Sequence, residues 1–161
     1  MKESRLAVVF DCMIFLQGLI KERGAAVECL EAFENGEVEL FISEEILREI
    51  ADVLTRPKLQ AKFSLLTAER AEKLVQMLRR KATLIKDVPQ LFDYARDPKD
   101  EKYINLAVVA KADFIVSRDN DLLDLMTGSV DAAKEFRQRF RPLKVVEPND
   151  FLQILKQSKK I

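Results

Sequence analysis

The chain has 161 residues, 48% of them hydrophobic and 34% charged, with 4 Gly and 5 Pro; this is a globular composition, long enough to bury one sizeable core without staples, and it excludes a disordered chain. Its 27 acidic and 27 basic residues cancel, which argues against a whole-surface nucleic-acid binder and leaves room for a local basic patch around an acidic pocket. Histidine is absent; that excludes Ser-His and Cys-His nucleophilic mechanisms, His-pair acid–base catalysis and a four-ligand Cys/His zinc site, so a hydrolase of this sequence works through carboxylates, with metals.

The stretch MKESRLAVVFD carries a short apolar run that ends in aspartate and lacks a small-residue cleavage site, unlike a signal peptide. No stretch approaches the ~20 apolar residues of a membrane span. The expectation is a cytoplasmic protein. Leu6 to Phe10, LAVVF, is β-branched and aromatic and too short for a buried helix; it predicts a central parallel strand ending at Asp11. Residues 13–21 and 24–35 predict helices, broken near Gly24 and ended at Asn35-Gly36. Cys12 and Cys29 sit in these apolar stretches and are expected as buried thiols, not as a disulfide framework.

Val38 to Ile42 predicts a second strand. Ser43 then caps a helix, SEEILREIADVL, with Ile46, Leu47, Ile50, Val53 and Leu54 on one stripe; Pro57 stops it. Thr67 caps TAERAEKLVQMLRRKA, which has acids near its start and a basic end. Thr83 to Ile85 predicts a short strand. Asp97-Pro98 reads as an N-cap with proline at the first helical position, opening a helix to about Lys111. Asp113 to Ser117 predicts a buried strand and Asp119 to Met126 a short helix. Residues 127–142 are mixed and polar, and predict a loop with one helical turn. Leu143 to Val146 predicts the last strand and Asn149 to Lys156 a C-terminal helix. Strands alternating with helices, with no linker and no repeat, predict one α/β domain over residues 1–161 with a mostly parallel sheet.

Ligands of parallel sheets bind beyond the carboxyl ends of the strands. Asp11 follows the first strand, and Asp119 follows DFIVS by two residues. Asp100 lies in the first turn of the helix after Asp97-Pro98. Glu49 flanks the apolar stripe centred on Ile50, at ~100° per residue, and faces a cleft better than Glu45. Such a cluster of acids repels itself, and divalent cations relieve the repulsion. Magnesium and manganese prefer oxygen ligands, and they activate water and stabilise the leaving oxygen in phosphodiester hydrolysis.

The segments VVFDCMIFLQGL, SEEILREIADVLTRPK, DPKDEKYINLAVVAKADFIVSRDNDLL and VVEPNDFLQIL resemble successive parts of a PIN domain, closest to the prokaryotic PIN-like toxins of toxin–antitoxin pairs. The resemblance implies a three-layer α/β/α sandwich and a magnesium- or manganese-dependent ribonuclease acting on RNA, with Asp11, Glu49, Asp100 and Asp119 as catalytic and metal-binding acids. It also implies a homodimer and an antitoxin partner. Ser117, two residues before Asp119, would orient a carboxylate or a water; Asp97 competes with Asp100 for the third acid, and Asp121 stands in support. Many members read D-T-N or D-S-N after the first strand, where this chain has Asp11, Cys12 and Met13. That departure motivates the alternative of a non-catalytic nucleic-acid-binding or interaction module. The D-x-D of a haloacid-dehalogenase-like phosphatase and the acidic pair of a response-regulator receiver are both missing. Arg79, Arg80 and Lys81 end one helix, and Arg137, Arg139 and Arg141 with Lys144 lie in the late loop region. These are the candidate RNA phosphate contacts. With no Trp and 2 Tyr, backbone and shape recognition is expected over base readout.

Overall fold

The five predicted strands are present: β1 (Leu6–Phe10), β2 (Val38–Ser43), β3 (Thr83–Ile85), β4 (Phe114–Val116) and β5 (Lys144–Val146). The computed structural model describes residues 5–159; the first four residues of the MKESRLAVVFD stretch lie outside it. The strands form one sheet in the order β3-β2-β1-β4-β5. Every pairing is parallel, including Leu6 with Val38, Phe10 with Val116 and Phe114 with Lys144. The expected mostly parallel sheet is thus wholly parallel. Val8, Val9 and Phe10 are at most 1% exposed, because a central parallel strand is covered on both faces.

The order reverses direction between β1 and β4. Crossovers run one way from β1 to β3 and the other way from β3 to β5, so the right-handed rule puts their helices on opposite faces. Helices α1 (Cys12–Ile20), α2 (Ala25–Glu34), α3 (Glu44–Leu54), α4 (Pro57–Lys62) and α5 (Ala68–Lys81) follow β1 and β2. Among them α1 packs on α2 and α3, and α3 on α5. The C-terminal α9 (Pro148–Ser158) joins this layer by packing on α2. Its Phe151 meets Phe10 and Phe114 edge-on at 6.2 and 5.9 Å. The opposite layer holds α6 (Glu101–Ala110), which follows a 3₁₀ turn at Pro98–Asp100 and packs on β1, β2 and β4, then α7 (Asn120–Leu123) and α8 (Asp131–Arg139). The result is the three-layer α/β/α sandwich. No described helix is long and apolar enough to cross a membrane.

The expected caps form. Ser43 Oγ accepts from Ile46 N–H at 3.1 Å, and Thr67 Oγ1 from Arg70 N–H at 3.1 Å. Gly36, at φ +75°, supplies the left-handed residue after α2 that a side chain would strain. Cys12 and Cys29 are buried free thiols. Two elements differ from expectation. Pro57 ends one helix but also starts α4, because proline at the first helical position has no N–H to lose. Residues 131–139, expected mostly as loop, form the nine-residue α8. Its burial rests on Ala133 and Phe136, too few apolar positions to stand out against its charges. Arg137 and Arg139 therefore lie on a helix, not in a loop.

Candidate active site

β1 and β4 end side by side at the point where the strand order reverses, the usual ligand crevice of a parallel sheet. Asp11 follows β1 as the N-cap of α1, and its backbone N–H still bonds Val116 O at 3.1 Å. Ser117 follows β4, fully buried. Its hydroxyl donates to Asp11 Oδ2 at 2.7 Å and accepts from Asp119 N–H at 2.9 Å. One side chain thereby fixes both strand-end acids. Asp119 Oδ1 caps α7 through Asp121 N–H at 2.9 Å.

Asp97 caps the 3₁₀ turn, its Oδ1 accepting from Lys99 N–H at 3.1 Å, and the turn carries Asp100 to the same place. Carboxylate oxygens of Asp97, Asp100, Asp119 and Asp121 lie within 4.8 Å of one another. Of the four principal acids named from sequence, this tightest group holds Asp100 and Asp119. Asp11 and Glu49 lie outside it; Asp11 is close enough to act electrostatically on Asp100 and to feel Asp119, and Glu49 acts on Asp11. Asp97 and Asp121, expected only in support, belong to the tightest group.

Asp100 is 6% exposed, and its Oδ2 meets no donor among the described residues. Burial first, then the bond to Asp119 and repulsion from Asp119, Asp97 and Asp11, push its carboxyl up to about 8. Its protonated form is thereby favoured at neutral pH and hydrogen-bonds Asp119. Asp11 is also raised, chiefly by burial, against the lowering bonds from Ser117 and Met13 N–H. A buried carboxylate oxygen without a donor, aimed among other carboxylates, fits a hard divalent cation.

Glu49 is held differently. It accepts from the Tyr103 hydroxyl and pairs with Lys102 Nζ at 2.8 Å. Tyr103 Oη in turn accepts Cys12 N–H at 3.2 Å. Tyr103 stands one helical turn after Asp100, so it ties α6 to Glu49 on α3 and to the start of α1 beside Asp11. Burial, then the bond to Glu49, raises its hydroxyl pKa, which keeps it a donor. The segment after Asp11 offers no polar side chain of its own: the Cys12 thiol is buried and pushed up to about 12, chiefly by that burial. Tyr103 was missed from sequence because it occupies an apolar face of α6, where its ring is ordinary core. Tyr103→Phe removes one hydroxyl and leaves Cys12 N–H without its acceptor. The expected cost is about 1–2 kcal/mol of stability and roughly tenfold in any activity that depends on Glu49. Denaturant unfolding and initial rates of the two proteins check this.

Of the predicted basic contacts, Arg79 and Arg80 are exposed at the end of α5. Arg137 donates to Leu125 O and Gly128 O at 2.8 and 2.9 Å, and Arg139 pairs with Glu135 at 2.6 Å. Arg141 is exposed just beyond α8. None of these residues belongs to the acid group.

A family model described as a PIN domain matches residues 7–121, a span that includes Asp11, Glu49, Asp97, Asp100, Ser117, Asp119 and Asp121. The chain is also similar to an uncharacterized protein of Methanocaldococcus jannaschii. The two are 28% identical over 153 residues, which cover 95% of this chain and 94% of that protein.

Proposed function

The chain belongs to the PIN-domain family, whose members are generally nucleases, and from that premise we propose that it is a divalent-metal-dependent ribonuclease. Asp11, Glu49, Asp100 and Asp119 are its catalytic and metal-binding acids, with Asp97, Asp121 and Ser117 in support. The observation that carries this reading is the buried Asp100 oxygen without a donor, set among carboxylates that hold a proton where a cation fits. The carboxylates of Asp97, Asp100, Asp119 and Asp121 would hold magnesium or manganese there, which would supply Lewis acidity and lower the pKa of water so that hydroxide is available at neutral pH.

The chain's own residues do the rest. Ser117 holds Asp11 and Asp119 in fixed relation. Asp100 would have to be deprotonated to ligate a cation. Lys102 and Tyr103 hold the Glu49 carboxylate in place. The same reading makes the chain one domain over residues 1–161, acting on RNA in the cytoplasm as the toxin of a toxin–antitoxin pair. A homodimer and an antitoxin protein are its partners. The RNA substrate and the toxin, antitoxin and homodimer parts rest on the family resemblance; the single domain and the cytoplasm rest on the sequence pattern.

A second reading, a PIN-like module that binds nucleic acid without cutting it, is favoured by Cys12 and Met13. Both stand where many members place polar side chains, and Met13 is 45% exposed. Labelled single-stranded RNA, incubated with manganese or magnesium and with EDTA, separates the two. Wild type is expected to cut only with metal, and Asp11→Asn to cut at least about 100-fold more slowly. RNA bound but left intact by folded wild type hands the site to the second reading.

A further inference from the structure

The acid pocket lies at the carboxyl edge of the sheet, but a concavity lined by cations lies at the other. Lys144 opens β5 and pairs with Phe114 at the amino end of β4. There a concavity of about 540 Å³ is lined by Lys134, Arg137, Arg141 and Lys144, with no acidic residue. The cleft beside Lys102, by contrast, is lined by as many acids as bases. In a chain whose charges cancel, four cations converge here from α8, the segment after it and β5, and repel one another. Among the described residues none of the four forms an ion pair.

The negative end of α8 accounts for Arg137, which lies in its last turn. Arg141 and Lys144 lie beyond that helix. Arg137 is pinned by its two carbonyl bonds, and these leave further N–H donors of its planar fork unused. The floor is apolar, built from Met126 and the buried Leu143. Met126 Sδ is held in place by Val145 N–H at 3.3 Å. A fixed guanidinium and three exposed cations beside apolar side chains match a phosphate group with something flat attached.

We infer that the concavity between α8 and β5 is a phosphate-binding site separate from the acid pocket. Its occupant is either the backbone of an RNA strand or a small phosphate compound such as a nucleotide; the recognising chemistry is the same. The site stands whether or not the acids cut RNA.

The test is run in EDTA, so cleavage plays no part. Anisotropy of labelled single-stranded RNA, and calorimetric titration of AMP and of inorganic phosphate, are compared for wild type and the exposed pair Arg141→Glu/Lys144→Glu. The control is Lys21→Glu/Arg23→Glu in the exposed segment between α1 and α2. If RNA is the occupant, the first variant loses at least about tenfold in RNA affinity and its salt slope falls by about 2, while the control changes little. If a small phosphate compound is the occupant, the loss falls on AMP or phosphate instead. Equal binding of all three ligands by wild type and the Arg141/Lys144 variant, or no binding of any by wild type, overturns the proposal.

Discussion

Asp100→Asn is expected to lower metal-dependent RNA cleavage by about three orders of magnitude and, in the same protein, to raise the stability of the metal-free fold. The two effects share one cause. Burial and neighbouring carboxylates lift the Asp100 carboxyl from 3.8 to about 8. Between those values the folded chain holds a proton that the unfolded chain has lost, so stability falls as pH rises through the window. Below about pH 4 both states are protonated and nothing is lost; above pH 8 the full penalty is present. Asparagine is neutral at every pH and still offers Asp119 a donor. The variant therefore gains on the order of 1–2 kcal/mol at pH 8.5, a few degrees at this length, and almost nothing at pH 4. Melting curves in EDTA at the two pH values, beside cleavage rates in manganese, check both halves. A variant less stable than wild type at pH 8.5 would contradict the electrostatic account.

Phe136→Ala has the largest expected effect on stability. Phe136 is fully buried on α8. Its ring lies 5.8 Å from Phe92 and 5.7 Å from Phe140, both at steep angles, and Phe92 lies 6.2 Å from Tyr94. This cluster anchors residues 86–97, a segment with no helix or strand. The segment is otherwise tied down by Asn105 Oδ1, which accepts from Leu91 and Phe92 N–H, and by Glu101, which accepts from Tyr94 N–H. It delivers Asp97 to the pocket. It also delivers Arg96, which bonds Asp121 and Asp124 at 2.6 and 2.7 Å, and Tyr94, whose hydroxyl donates to Asp121 O at 2.5 Å. Truncation leaves a cavity and costs about 3–5 kcal/mol, roughly 10 °C. Cleavage by the fraction still folded falls about tenfold, because Asp97 and Asp121 lose their support. Thermal unfolding with rates measured well below the midpoint separates the two losses.

The sheet was legible because each buried strand is a short apolar run that ends at a polar residue. LAVVF before Asp11 and DFIVS before Asp119 mark both the strands and the edge where the candidate acids gather. Asp100 was legible through its proline-opened turn. The partition among the acids was not. That Asp97 and Asp121 sit in the tightest group, while Glu49 is taken up by Lys102 and Tyr103, depends on how α3, α6 and the 3₁₀ turn meet. Glu49 and Tyr103 are 54 residues apart, and no local pattern encodes their contact. Residues 86–97 carry no period because they are held by side-chain bonds to Asn105 and Glu101, not by a ladder. α8 hid for the opposite reason: Ala133, Phe136 and Phe140 do fall at helical spacing, but charged residues dilute them.

The claim that the acids form a divalent-cation site is tested most directly by calorimetric titration of manganese into the metal-stripped chain at pH 7. Titration in two buffers of different ionisation enthalpy also counts the protons released. The account predicts saturable binding that expels about one proton, the one favoured on the raised Asp100 carboxyl, and the loss of both signals in Asp100→Asn. No binding by folded wild type, or binding that persists unchanged in the variant, would contradict it.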